Sequence, residues 1–504
     1  RDGGIQWGFA TVTGRTSTTE VTVTVNATFG GTTAETKWRL GAFSDTTGFP
    51  AAVAFYEQRL FFAGTTEQPQ TLFGSKSGDY ENHTPGTLDD DPVIYTLATD
   101  QVNAIRWLSP GKVMAIGTVG GEFVISGSTT ADALTPTNVR VVREGTRGSA
   151  SHRPIRIDNV VVFIQRQQRK LREFVYAFES DSFQSPDLTI LSNQVSKGGI
   201  TEIAYQQEPS TVVWGVKADG QLVGMTYLRD QQVVAWHRHK IGGTSAACTI
   251  TVSDYANIAA GTTLTFTKSD GSTVTFTSTT GTAGTDEFRT QTNNNTTADN
   301  IYTAINAHAD FTVANPAAAV VTVEETTRAG AGPLTVTSSD TTRLTTTDQA
   351  IAVVESLAII PSSTTGEEEV WMIVQRTING TTRRYVEYLS NQFDTEENET
   401  KADAFFVDSG LSYSSTAASS ISGLDHLEGE AVSILGNGSV YTKRNISSGA
   451  ITSIDPTVTK AQIGLTQQCT MKTLRPEAGG DDGTAQGKTK RDFEVTLRLI
   501  DTLG

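Results

Sequence analysis

A strand–turn–strand unit recurs along this chain at intervals of about 50 residues, and no other feature limits the fold as strongly. Runs rich in β-branched and aromatic residues stand at Arg59-Leu60-Phe61-Phe62-Ala63, Lys112-Val113-Met114-Ala115-Ile116, Asn159-Val160-Val161-Val162-Phe163-Ile164, Thr211-Val212-Val213-Trp214-Gly215-Val216 and Glu369-Val370-Trp371-Met372-Ile373-Val374. Each is followed by a turn and a second strand. Gly120-Gly121, Asp219-Gly220 and Asn379-Gly380 mark hairpins, because these residues tolerate positive φ. The starts near 60, 113, 161, 212 and 370 leave gaps of 53, 48 and 51, and then one of 158. A unit of this size cannot bury both its faces alone. Neighbours must stack around an axis, so the period predicts propeller-like blades. Trp107, Trp214, Trp236 and Trp371 fall in or beside these strands and are expected to be packing anchors between blades.

The long gap equals one period plus 107 residues, and the excess matches a Thr-rich stretch at 244–350 with about 30 Thr and no Trp. Leu264-Thr265-Phe266-Thr267 and Val274-Thr275-Phe276-Thr277 alternate apolar with Thr around Ser269-Asp270-Gly271-Ser272, as in a hairpin with one buried face. Thr297 to His308 reads as a helix with Ile301, Ala304, Ile305 and His308 on one stripe and Thr296 or Thr297 as its cap. With strands at 320–324 and 333–338, the stretch is expected to be a helix on a four-stranded sheet. It carries ten acidic and four basic residues, which suits a solvated outward lobe. If it is an accessory insertion, Gly243 and Ile351 must lie close together.

Strands are also expected at Phe405-Phe406-Val407, Glu430 to Leu435, Ser439-Val440-Tyr441 and Phe493 to Ile500, with a turn at Asn437-Gly438 and a flexible charged run at Ala478 to Arg491. The start, Arg1-Asp2-Gly3-Gly4, has neither an initiator Met nor a signal peptide, and Gln6 to Val25 already reads as strands. The numbering is therefore expected to begin inside a longer protein.

Several phrases in order carry a family likeness. They are Trp38-Arg39-Leu40-Gly41-Ala42-Phe43-Ser44, Gly48-Phe49-Pro50, Arg59 to Gly64, Ser77-Gly78-Asp79-Tyr80-Glu81-Asn82 and Asp100-Gln101-Val102-Asn103-Ala104-Ile105. Further on come Arg169 to Phe174, Pro186-Asp187-Leu188-Thr189, Ala204 to Pro209, Gly224-Met225-Thr226-Tyr227, His426 to Glu430 and Asp482 to Gly487. With these the chain resembles the tail nozzle family of short-tailed bacteriophages, also called tail tubular protein B or phage stabilisation proteins. The resemblance implies a virion structural protein, not an enzyme. It implies a ring of six copies below the portal and its adaptor ring that extends and gates the DNA ejection channel and anchors tail fibres or spikes. It also implies a second β domain after the propeller.

Charge reads first as a matter of solubility and is compatible with such a conduit. Lys and Arg number 39 against 55 Asp and Glu, a net charge of −16. That balance argues against general nucleic-acid affinity, which depends on many Lys/Arg–phosphate contacts. A channel that lets DNA pass transiently needs a lining that does not hold phosphates. No stretch approaches the roughly 20 apolar residues of a membrane span, so no membrane insertion is expected.

Few residues stand out as candidates for chemistry. Cys248 and Cys469 form no CxxC motif and read as free thiols. His237 and His239 share one face if Trp236-His237-Arg238-His239 is a strand, but no acidic or Cys partner is near in sequence, and a surface or interface strand is the expectation. Asp89-Asp90-Asp91 lacks cation-loop spacing and reads as a solvated loop. Arg166-Gln167-Gln168-Arg169-Lys170-Leu171-Arg172 reads as a turn between strands making subunit contacts, and Glu367-Glu368-Glu369 as an exposed loop. No phosphate-binding glycine loop, HExxH or G-x-S-x-G is present. No catalytic, cofactor-binding or metal residue is assigned, and no cofactor is expected.

The expected fold class is mainly β: a propeller-like array of about 50-residue blades with an inserted small α+β domain and a C-terminal second β domain. The expected segments are 1–42, the end of an N-terminal β domain; 43–243, the first part of the propeller; 244–350, the Thr-rich α+β insertion; 351–403, the last part of the propeller; and 404–504, the C-terminal β domain. The expected function is a nozzle subunit located in the virion tail and assembled in the host bacterial cytoplasm. The alternative is a host-surface adhesin or a polysaccharide-degrading tailspike-like propeller, which needs an aromatic and carboxylate cluster in a groove.

Overall fold

The computed structural model describes residues 8–466 apart from 32, 34–37, 39, 100–101, 131, 240, 242–246, 269–270, 315, 317, 326–333, 349–351, 363–365, 380, 391–392 and 394–399. The fold is mainly β, built from many small antiparallel sheets. The chain forms two compact units, one of residues 1–116 with 124–142 and one of 117–123 with 143–504. The sequence-expected strand at Phe493–Ile500, the charged run at 478–491, Cys469, Gly243 and Ile351 lie outside the described residues.

A two-stranded ribbon, β1 (Phe9–Arg15) and β2 (Val21–Ala27), comes first. Four meanders follow, each of four strands hydrogen-bonded in chain order. They are β3 (Ala52–Tyr56), β4 (Arg59–Ala63), β5 (Thr71–Gly74) and β6 (Ile94–Thr96); then β7 (Ile105–Ser109), β8 (Met114–Thr118), β9 (Gly121–Ser126) and β10 (Arg140–Arg143). Next come β11 (Ile155–Ile157), β12 (Val160–Ile164), β13 (Leu171–Ala177) and β14 (Ser182–Gln184); then β15 (Ile200–Gln206), β16 (Val212–Lys217), β17 (Leu222–Leu228) and β18 (Val233–His239). The five apolar runs of the repeat fall on β4, β8, β12, β16 and a later strand at Glu368–Ile378, always the second strand of its sheet. β8, β12 and β16 are buried along their whole length, so both faces demand apolar side chains and the strands read as continuous hydrophobic runs.

The Thr-rich stretch contains β19 (Ala247–Val252), β20 (Thr263–Thr267), β21 (Thr273–Thr279), β22 (Glu287–Arg289), helix α1 (Asn294–Asn306), β23 (Phe311–Ala314), β24 (Val320–Glu325), β25 (Thr335–Ser338) and β26 (Leu344–Asp348). These make two four-stranded sheets, β23-β24-β19-β26 and β22-β21-β20-β25, where the sequence led to one. The strands not expected from sequence are β19, β23 and β26, which join β24 in a sheet of their own, and the three-residue β22, which pairs parallel with β21 at the edge of the other. The helix starts earlier than expected. Its cap is Asn293, whose side chain accepts the N–H of Thr296 at 2.8 Å, and Thr297 is buried inside the first turn. Leu264, Phe266 and Phe276 face a core completed by Ile301, Ile305, Phe311 and Val323. The first and last strands of the stretch pair with each other, Cys248 opposite Asp348 and Val252 opposite Leu344.

β27 (Val353–Pro361), β28 (Glu368–Ile378) and β29 (Thr381–Tyr388) form a three-stranded meander. The fourth meander lies between two others in the second unit. Ile203, Val213, Met225 and Tyr227 pack with Val160, Val162 and Leu171 in one core, while Val212, Trp214, Val216 and Leu222 pack with Val354, Leu357, Val370 and Met372 in another. Ile241 belongs to that second core and Ala352 packs against it, so the chain leaves and resumes the array at one place across the Thr-rich stretch.

The C-terminal part is β30 (Val407–Ala418), β31 (Ile421–Ser422), β32 (Ala431–Gly436), β33 (Ser439–Asn445), β34 (Ala450–Ile451) and β35 (Val458–Thr466), in a four-stranded sheet β30-β35-β32-β33 and a two-stranded one. Asn437 (φ 48°) and Gly438 (φ 79°) turn β32 into β33, as the Asn-Gly pair implied. Among the described residues no helix is long and apolar enough to cross a membrane, which says nothing of a membrane β-barrel.

Candidate functional site

The acidic loop and the family-like run Arg59–Gly64 belong to one local network in the first unit. Arg59 opens β4 and is buried. Its guanidinium donates to the carbonyl oxygens of Ser75 (2.8 Å), Asp89 (2.6 Å), Asp90 (3.2 Å) and Asp91 (2.6 Å). Lys76 pairs with Asp90 at 2.9 Å, and Asp91 accepts the N–H of Leu88 at 2.9 Å. The loop therefore turns its main-chain carbonyls toward a buried cation of the protein itself. The side chains are engaged outward with a lysine and a turn N–H.

The basic run forms the turn between β12 and β13, as expected. Lys170 donates to Asp187 at 2.6 Å. Arg172 is buried and donates to Gln165 at 2.5 Å and to the carbonyl of Ser185 at 2.6 Å. Burial opposes ionisation of Asp187, but hydrogen bonds from Lys170 and Thr189 outweigh it and hold its pKa below the usual carboxylate range. Arg166 and Arg169 remain exposed on the turn.

The acidic run 367–369 is not an exposed loop. Glu368 and Glu369 begin β28 and are half-buried. The Glu368 carboxylate accepts the backbone N–H groups of Gln207 and Glu208, and Glu369 accepts from Trp371 Nε1 at 2.9 Å. The donors are amides of the loop after β15 and an indole, which the sequence does not advertise.

His237 and His239 do share one face of β18. Their rings meet at a centroid distance of 4.8 Å, with His237 Nδ1 2.6 Å from His239 Nε2. Trp214 lies beneath both, at 5.7 and 4.9 Å. Burial lowers the pKa of His237, and burial with the neighbouring His237 lowers that of His239 to about 4. Cross-strand register builds this cluster: Trp214 stands opposite Gly224, and Gly224 opposite His237. A Cβ on residue 224 would meet His237 Cε1 at 2.1 Å, so the glycine makes room for the ring. Trp214 Nε1 donates to Gln206 Oε1 at 2.8 Å.

The tryptophans divide. Trp107 and Trp214 are buried, while Trp236 and Trp371 are half-buried. Trp236 Nε1 donates to the Leu188 carbonyl at 2.8 Å, and Trp371 stacks on Tyr388 at 5.0 Å. Cys248 is buried in the core of the Thr-rich segment, its thiol 3.8 Å from the carbonyl oxygen of Val323. Sequence reasoning missed the buried charges. Glu122 is fully buried in β9, accepting the Arg147 N–H at 3.3 Å and the Ser149 hydroxyl at 3.4 Å, and burial raises its pKa. Glu173 accepts the Tyr227 hydroxyl at 2.9 Å, and Arg376 is held bidentate by Glu387 at 2.8 and 2.6 Å. Only strand pairing and packing show the partners of these charges.

Among the described residues, no group of three or more His, Cys, Asp or Glu side chains is placed to hold a metal ion. No protein-family model matches the chain, and no curated protein matches it. Among solved structures, a luciferin-regenerating enzyme is similar over 40% of this chain and 82% of its own, at 11% identity and a TM-score of 0.17, too slight a likeness to carry an argument.

Proposed function

We propose that the chain is a structural subunit of a phage tail nozzle. In this reading the meanders are propeller-like blades, and copies of the chain join in a ring, six in number. The ring continues and gates the DNA ejection channel below the portal and adaptor, and its outer surface anchors tail fibres or spikes. It works in the virion tail after assembly in the host cytoplasm.

The observation that carries the reading is the packing of the fourth meander. One of its faces shares a core with the third meander and the other shares a core with β27–β28, across a segment of about 100 residues. Serial face-to-face stacking of meanders is what a blade array needs, and the order of family-like phrases along the chain supplies the functional class. The buried polar groups described above are tied to main-chain carbonyls, amides or opposite charges. Such ties suit a framework that bears load, and the acidic net charge suits a lumen that does not retain DNA.

Reconstruction of purified phage particles tests the role. The reading expects density for this chain as a ring between the adaptor and the tail tip, enclosing the axis. Its presence only as peripheral projections that bind host glycan would favour an adhesin or tailspike instead. Its absence from particles would remove the nozzle reading.

A further inference from the structure

We propose that His237 and His239 form a two-histidine binding site for a divalent transition-metal cation of the Cu²⁺, Ni²⁺ or Zn²⁺ class. Alternate residues of β18, the end strand of its sheet, put both imidazoles on the same face. The two facing nitrogens are 2.6 Å apart, close enough that one must carry a hydrogen donated to the other. Two nitrogens bound to one tetrahedral ion at about 2.0–2.1 Å stand roughly 3.3 Å apart. The rings therefore need to part by under about 1 Å and to turn so that both lone pairs converge on the ion instead of facing each other. The donor ring moves its proton to its far nitrogen, both facing lone pairs become free, and the cation replaces the shared hydrogen. No proton is gained or lost in that exchange between neutral tautomers.

The site is shaped for these rings. Gly224 leaves the space that His237 occupies, Trp214 floors both imidazoles, and Gln206 fixes the indole. Both histidines are only partly covered, so a cation reaches them from solvent. Neutral imidazole is the ligand form, and among first-row divalent ions Cu²⁺ binds such nitrogen sites tightest. Two protein ligands leave the other coordination positions to water.

Trp214 is the reporter. Titration of the tag-free, metal-stripped chain with CuCl₂ is expected to quench tryptophan emission saturably at one equivalent. Electron paramagnetic resonance of that complex should show hyperfine splitting from two imidazole nitrogens. The His237→Gln/His239→Gln double variant should lose the one-equivalent phase. Gly224→Ala, which displaces the His237 ring without removing a ligand, should weaken binding about tenfold. Trp214→Phe should lose the quench yet keep the calorimetric binding heat. A one-equivalent phase that survives in the double variant, or a wild-type spectrum with fewer than two nitrogens, overturns the proposal. The spectrum needs no substitution, so the test holds even if a variant fails to fold.

Discussion

Val354 donates its backbone N–H to the carbonyl oxygen of Gly220 at 2.9 Å, tying the strand that follows the Thr-rich segment to the hairpin that precedes it. Gly220 lies in the turn before β17, and Leu222 of that strand stands opposite His239, the last residue of β18. The chain thus resumes the array beside the point where it left.

Replacement of residues 244–350 by a short Gly/Ser linker is therefore expected to leave the core of Val212, Trp214, Leu222, Val354 and Val374 intact. Near-ultraviolet circular dichroism and thermal unfolding should stay native-like and cooperative. The excised segment, with its own core around Phe266, Phe276 and Ile301, should fold alone. A deletion variant without a cooperative transition would show that the segment holds the array together.

Arg59 gathers four main-chain carbonyls, that of Ser75 in a buried bond and those of Asp89, Asp90 and Asp91 in partly buried ones. Arg59→Met is expected to destabilise the first unit by roughly 2–4 kcal/mol, since one buried and three partly buried carbonyls lose a charged donor. Arg59→Lys should recover little, because an ammonium lacks the planar fork that reaches Ser75 and Asp89 together. Denaturant unfolding of both variants measures this. A loss below about 0.5 kcal/mol for Arg59→Met would mean that the loop carries itself.

Glu122 sets a pH dependence of definite sign. Burial raises its folded-state pKa above the unfolded value, so the folded chain binds this proton more tightly. The stability it contributes is complete below the unfolded pKa, near 4.5, and is lost as pH rises through the folded pKa. Glu122→Gln should therefore raise the unfolding temperature at pH 7 relative to the native chain, and the advantage should shrink toward pH 4. A penalty at pH 7 that disappears on acidification would show instead that the carboxylate is held ionised by Arg172.

Legibility followed burial. The second strands β8, β12 and β16 were readable as continuous apolar runs because both their faces are covered, whereas β4 and β28 alternate buried with less buried positions. Outer strands such as Ile94–Thr96 and Ser182–Gln184 are three residues long and show no period. The cap of α1 was misplaced because three consecutive asparagines precede the threonines, and only geometry selects Asn293. The closeness of His237 and His239 was readable from alternation. Their floor was not, since Trp214 reaches them through register with Gly224 in an intervening strand. Glu368 read as loop because a charge run resembles solvated surface until the N–H groups of Gln207 and Glu208 are placed beside it.

The mass and symmetry of the purified chain test the nozzle account most directly. Mass photometry with averaged electron micrographs is expected to show closed rings of six times 53.9 kDa with an open or gated axis. A stable monomer at micromolar concentration, forming no rings alone or with the adaptor ring, would contradict it.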